Sequence, residues 1–204
     1  VITSCGEKKQ TSEFPDWAWA DFQRPEGINP IVSPDTTTVF YCPMRQDSVA
    51  WESSDTFNPA ATIYDGKVVV LYRAEDNSAV GIGSRTSRLG YAYSDDGLHF
   101  NRMTVPVFYP ADDNQKELEW PGGCEDPRVA VTDDGLYVML YTQWNRKQAR
   151  LAVATSRDLQ IWEKYGPAFA KAYGGRFFDE FSKSASIVTK LVDGKQVIAK
   201  IDGK

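Results

Sequence analysis

Three short polar clusters in this chain carry side chains able to do chemistry: Phe57-Asn58-Pro59-Ala60, Tyr72-Arg73-Ala74-Glu75-Asp76 and Gly122-Gly123-Cys124-Glu125-Asp126-Pro127-Arg128. The carboxyl groups of Glu75, Asp76, Glu125 and Asp126 can give or take a proton. The guanidinium groups of Arg73 and Arg128 and the amide of Asn58 can fix hydroxyls or carboxylates in place. Each cluster also has a plain alternative. Arg73 with Glu75 or Asp76 reads as a solvated ion pair at a strand exit, worth little, and an Asp before Pro is a common turn starter. What separates the two readings is whether the clusters meet in space. The remaining candidates for chemistry are few. His99, the one histidine, sits in a turn and reads as structural. Cys5, Cys42 and Cys124 form no CxxC and have no nearby His, so no zinc site or other metal centre is expected. Cys42 and Cys124 read as buried free thiols, and no cofactor is expected.

The elements that must position these clusters are strands. Alternation or β-branched enrichment marks Thr38–Tyr41, Ala60–Tyr64, Lys67–Arg73, Leu89–Ser94, Ala130–Thr132, Leu136–Gln143, Arg150–Ser156, Ser186–Leu191 and Gln196–Ile201. Turn signals separate them at Asp65-Gly66, Asp95-Asp96-Gly97, Asp133-Asp134-Gly135 and Asp193-Gly194. No segment sustains a helical period, and only a short turn near Ala168–Tyr173 is expected, so the chain is all-β. The strands also repeat. Asn58–Tyr72 aligns with Asp126–Tyr141, Leu89–Phe100 with Leu151–Trp162, and a weaker third copy covers Ser186–Ile198. The glycines of the Asp-Gly turns, Gly66, Gly135 and Gly194, lie 69 and 59 residues apart. A period of about 60 residues with four strands per unit is that of a propeller blade with long loops. In such a fold Asn58-Pro59 and Asp126-Pro127 open equivalent inner strands and face one axial pocket. At this period the chain holds roughly three blades, too few to close a ring. It stops at Asp202-Gly203-Lys204, which looks like a hairpin turn without its second strand. A longer polypeptide is therefore expected.

Composition narrows the partners. A net charge of −5 offers phosphates no basic face, which argues against nucleic acid. No apolar run approaches the ~18 residues that span a membrane. Aromatic residues make up 13% of the chain, enough to fill a core and also to line a carbohydrate site. At the start, Val1-Ile2-Thr3-Ser4-Cys5 followed by the polar Gly6-Glu7-Lys8-Lys9-Gln10 resembles the lipobox of bacterial lipoproteins. On that resemblance Cys5 is the lipidated residue, and the protein is exported and lipid-anchored in the cell envelope of a bacterium without crossing the membrane. Residues 1–5 are then the end of a signal peptide, 6–37 a tether and N-terminal extension, and 38–204 the propeller domain, incomplete at its C-terminus.

The three clusters, in their order and spacing, resemble glycoside hydrolase family 130. Ser94–Phe100 and Ala149–Ser156 resemble its blade repeats as well. The resemblance covers roughly residues 55–204. It implies a five-bladed propeller, of which this chain supplies about the first three blades, acting on β-mannosides as a hydrolase or a phosphorylase. By the same resemblance Asp126 is the acid, and Arg73 with Glu75 or Asp76 holds the mannose. Asn58, Glu125 and Arg128 line its pocket, and Lys183 is a candidate cation toward substrate or phosphate. An inverting hydrolase also needs a second carboxylate on the far face of the sugar, roughly 6.5–9.5 Å away. That base is expected to be a Glu beyond residue 204. Export favours hydrolysis, because a sugar phosphate conserves bond energy only where a cell can use it. The expected activity is thus that of an exo-acting, inverting β-mannosidase on β-1,2-linked mannose-containing oligosaccharides. A phosphorylase and a non-catalytic glycan-binding lipoprotein are the alternatives.

Overall fold

The structure, a computed structural model, describes residues 24–203. Cys5, the anticipated lipobox and most of the anticipated tether lie outside the described residues. Two antiparallel meanders of four strands dominate. The first comprises β3 (Asp55–Tyr64), β4 (Lys67–Glu75), β5 (Ser87–Ser94) and β6 (Asn101–Arg102). The second comprises β7 (Gly123–Val131), β8 (Tyr137–Trp144), β9 (Ala149–Ser156) and β10 (Glu163–Pro167). A hairpin of β1 (Phe40–Cys42) and β2 (Asp47–Val49) precedes them, and a hairpin of β11 (Thr189–Val192) and β12 (Lys195–Ile198) follows. Among the described residues helix is confined to α1 (Lys116–Glu119) and a 3-10 turn at Ala172–Gly175. The all-β reading therefore holds, and each meander has the form of one propeller blade.

The Asp-Gly turns act as anticipated. Asp65 and Gly66 both have positive φ (48° and 74°), as do Asp193 and Gly194 (47° and 76°). That is the conformation a tight hairpin with the native strand twist requires. The repeat extends to atomic detail in the loops after β5 and β9. Ser94 Oγ accepts from Gly97 N and Ser156 Oγ from Leu159 N, each at 2.8 Å. Asp96 and Asp158 then cap the next backbone N–H groups. His99 Nδ1 lies 2.7 Å from Asp96 Oδ2, inside this turn, so its role is structural.

Between the meanders Leu71, Leu89, Cys124, Met139, Tyr141 and Ala152 form one core, and Val197 of β12 joins it. A second core, with Phe40, Trp51, Val70 and Tyr72, packs the β1–β2 hairpin on the other face of the first meander. Because β4 and β5 are covered on both sides, their sequences run apolar rather than alternating. Both thiols, Cys42 and Cys124, are buried and free.

Each blade carries the same buried clasp. Tyr72 donates its hydroxyl to Glu52 Oε2 (2.8 Å), which also accepts from Arg102 on β6 (3.1 Å). Tyr141 donates to Glu119 Oε1 (2.8 Å), and Lys164 on β10 reaches Glu119 Oε2 (2.5 Å). Burial lifts both Glu52 and Glu119 above the ordinary carboxyl range, against the pull of those donors. The two clasps fasten the segment entering each blade to its outermost strand.

Candidate active site

The polar clusters sit where two strands break register. In β3 the pairing with β4 shifts between Phe57 and Ala60, and in β7 the pairing with β8 shifts between Glu125 and Arg128. The residues between are Asn58-Pro59 and Asp126-Pro127. A proline has no N–H for the ladder, so it is tolerated at a bulge. Asn58 and Asp126 both take left-handed φ values, 44° and 52°, which short polar side chains accept better than most. Each bulge therefore turns one polar side chain off the sheet, and the repeat turns both toward the same place. Asn58 Nδ2 donates to Asp126 Oδ1 at 2.8 Å, from one blade to the next.

The blades can approach this closely because of Gly123. It pairs in parallel with Ser87, and a Cβ placed on it would lie 2.1 Å from Ser87 O. Its φ of 118° is also one that favours glycine. We expect Gly123→Ala to destabilise the fold by roughly 3 kcal/mol, measured by chemical denaturation, through backbone strain and overpacking. A loss below about 1 kcal/mol would show that the inter-blade contact is soft.

Arg73 is the centre of the cluster. Its Nη1 donates to Asp126 Oδ1 (3.0 Å), its Nη2 to Glu75 Oε1 (2.6 Å) and Glu125 Oε1 (2.8 Å), and its Nε to Ser87 Oγ (3.0 Å). The Phe57 ring covers the guanidinium at 4.5 Å from its centroid. Lys183 comes from an irregular stretch pinned to β9: Ser182 N donates to Ala149 O and Ser182 Oγ accepts from Leu151 N. Its Nζ lies 2.5 Å from Glu125 Oε2 and 3.2 Å from Asp126 Oδ2. Arg73, Glu75, Glu125 and Asp126 are all buried, while Asn58 and Lys183 are exposed at the mouth.

Burial resists ionisation of Asp126, but the Asn58 amide and the charges of Arg73 and Lys183 outweigh it. Its carboxyl is held below the usual range. Glu125 goes the other way: burial, helped by the charge on Asp126, lifts it despite Arg73 and Lys183. The two adjacent acids are thus pushed apart, the pattern that marks proton-handling sites. Asp126 is a carboxylate whose Oδ1 accepts two hydrogen bonds.

Of the residues anticipated from sequence, Asn58, Arg73, Glu75, Glu125, Asp126 and Lys183 come together. Asp76 does not, because strand alternation sends it to the opposite face from Glu75. There it forms a buried ion pair with Arg88 at 2.9 Å. Arg128 also stays outside the cluster. Its Nη1 donates to Pro127 O at 2.7 Å and Pro59 O at 3.5 Å, tying the two bulges together. Ser87, Phe57 and Arg85, whose Nη1 is 3.5 Å from Glu75 Oε2, complete the surroundings. Nothing in the sequence singled out Ser87 or Arg85, since neither lies in a repeated motif. Among the described residues no group of three or more His, Cys, Asp or Glu side chains is arranged to hold a metal ion.

Known proteins resemble this chain over most of its length. A 1,2-beta-oligomannan phosphorylase from Thermoanaerobacter sp. (strain X514) is 36% identical over 152 residues, 72% of this chain and 46% of that protein. A protein of known structure from Bacteroides thetaiotaomicron VPI-5482 is 99% identical, with a TM-score of 0.91 over 94% of this chain and 55% of that one. A further solved structure, 69% identical, superposes with a TM-score of 0.90 over 93% of this chain and 53% of that one. It was described with the finding that the GH130 family of mannoside phosphorylases contains glycoside hydrolases that target beta-1,2 mannosidic linkages in Candida mannan. The chain spans about half the length of each of these relatives. The family model described as beta-1,4-mannooligosaccharide phosphorylase matches residues 23–204, and the chain belongs to that family, glycoside hydrolase family 130.

Proposed function

We propose that the chain is part of an exported, exo-acting β-mannosidase that hydrolyses β-1,2-linked mannosides with inversion. The observation that carries this reading is the convergence of Asn58, Arg73, Glu125 and Asp126 from two blades onto one buried, charge-compensated site with a polar mouth. Such a site offers a sugar both acceptors and donors for its hydroxyls, with a carboxyl group on the leaving-oxygen side. The base that activates water is a Glu outside residues 1–204. The closed five-bladed ring, of which the two meanders are blades, and anchoring through Cys5 belong to the same proposal.

Hydrolysis is preferred to phosphorolysis on two grounds. The 69% identical relative is described with glycoside hydrolases, whereas the relative named as a phosphorylase is 36% identical. In addition, the proposed export favours hydrolysis, because a sugar phosphate conserves bond energy only where a cell can use it. The phosphorylase reading keeps its support from the name of that second relative. The test is incubation of the whole enzyme with β-1,2-mannobiose, with and without phosphate. Free mannose at the same rate in both is the expected result. Mannose 1-phosphate appearing only with phosphate would make it a phosphorylase. Binding without either product would make it a glycan-binding protein.

A further inference from the structure

The charged cluster closes into a ring. Arg73 bridges Asp126 Oδ1 and Glu125 Oε1 on the inner side, and Lys183 bridges Asp126 Oδ2 and Glu125 Oε2 on the outer side. The two cations are held very differently. Arg73 is 3% exposed, hydrogen-bonded to Ser87 and Glu75 and covered by Phe57. The side chain of Lys183 is 44% exposed, and its ion-pair partners among the described residues are the two carboxylates alone. Its backbone is fixed through Ser182, yet four rotatable bonds separate that anchor from the ammonium. Oδ1 of Asp126 is filled by Asn58 and Arg73. Oδ2 is therefore the oxygen that a ligand or a proton must reach, and Lys183 covers it.

We propose that Lys183 is a positioning residue for Asp126: a releasable cation that covers Oδ2 and withdraws when a saccharide hydroxyl takes its place. This inference rests on the functional reading above, in which Asp126 supplies the proton for the leaving oxygen. The groups facing Asp126 are Asn58 from β3, Arg73 from β4 with Glu75 behind it, Glu125 from β7, and Lys183. Once Lys183 leaves, Glu125 and Asp126 are left with the guanidinium of Arg73, which Glu75 also shares, and the Glu125–Asp126 pair takes up a proton from solvent. Asp126, the member with an oxygen on the open side, hands that proton to the glycosidic oxygen as the bond to the departing sugar breaks. The carboxylates are thereby held charged until sugar binds, and the acid is armed only when sugar is present.

The test follows the carboxyl titrations of Glu125 and Asp126 by carbon-13 NMR in the whole enzyme, with signals assigned through E125Q and D126N. In the sugar-free enzyme, Lys183→Met should move the pair's titration to higher pH, and Lys183→Arg should keep it near that of the wild type. Adding mannose should raise the titration in the wild type and add little in K183M. In turnover, the alkaline limb of kcat/KM should move up in K183M. The ratio of kcat/KM at pH 7 to that at pH 5 should then rise roughly threefold, the effect of a half-exposed, partly screened charge. Identical titrations in K183M and the wild type would overturn the proposal. So would a KM raised equally at every pH with the limb unmoved, which would make Lys183 a plain sugar ligand. A wild-type enzyme that binds no mannose would instead overturn the functional reading, and the release step with it.

Discussion

Asp126→Asn is expected to lower β-mannoside turnover by about a thousandfold, within the range that removal of a positioned proton donor costs. The fold should survive. Asn has nearly the same shape, and its carbonyl oxygen can still accept from Asn58 Nδ2 and Arg73 Nη1. Mannose binding should survive as well, because the donors at the mouth are untouched. The charge is what changes, and its sign is checkable. Asp126 has a depressed pKa in the folded state, so its ionised form stabilises the protein above the ordinary carboxyl pKa. That contribution fades as pH falls through the folded value. D126N lacks it, so the variant should lose less stability on acidification than the wild type does. Mannose release and thermal melts at two pH values check both parts. Turnover within tenfold of the wild type would remove Asp126 from the catalytic role.

Arg73→Met should be the most destabilising single change in the site. It keeps most of the aliphatic volume but leaves buried Glu75 with Arg85 at 3.5 Å, and buried Glu125 and Asp126 with the half-exposed Lys183. Breaking a buried ion network by removing one partner costs about 3–5 kcal/mol, or on the order of 10 °C in Tm for a chain of this size. The loss should depend on pH in a definite direction. Without the cation, which lowers the pKa values of Glu125 and Asp126, those values rise in the folded state, and between the unfolded and folded values the folded protein holds more protons. Stability of the variant should then recover as pH falls from 7 toward 5, narrowing its gap from the wild type. Melting curves of both proteins across that range provide the measurement. A gap that stays constant or widens toward acid pH would mean that the carboxylates find other partners.

Much of this was readable in the sequence, for reasons that differ by region. Asp65-Gly66 and Asp193-Gly194 announce hairpins because Gly, and Asp more than most residues, accept positive φ, a local property. The apolar runs of β4 and β8 and the blade-length repeat gave the meanders for the same reason. Short outer strands did not declare themselves. Glu163–Pro167 and Asn101–Arg102 are polar, and they become strands only by pairing with β9 and β5. Strand enrichment begins only at Ala60 and Ala130, because Asn-Pro and Glu-Asp-Pro disfavour strand locally, whereas β3 and β7 start at Asp55 and Gly123. The sheet absorbs them by bulging.

Within the site, the sequence by itself determined which residue types were available and that they recur at equivalent blade positions. Repeat and order alone placed Asn58 opposite Asp126. Only the tertiary structure decided which neighbours in the chain part company. Glu75 and Asp76 are adjacent, yet the period of a strand gives one to Arg73 and the other to Arg88. Asp126 and Arg128 stand two apart, yet the bulge between them turns only Asp126 into the ring. Lys183, exposed and on no strand, had no sequence signal for its partners; its place follows from where its segment is tied to β9. Charge compensation decides protonation, and it depends on distances between residues more than fifty positions apart, such as Arg73 and Asp126 or Glu125 and Lys183. Those distances exist only once Gly123 has let the two blades meet at Ser87.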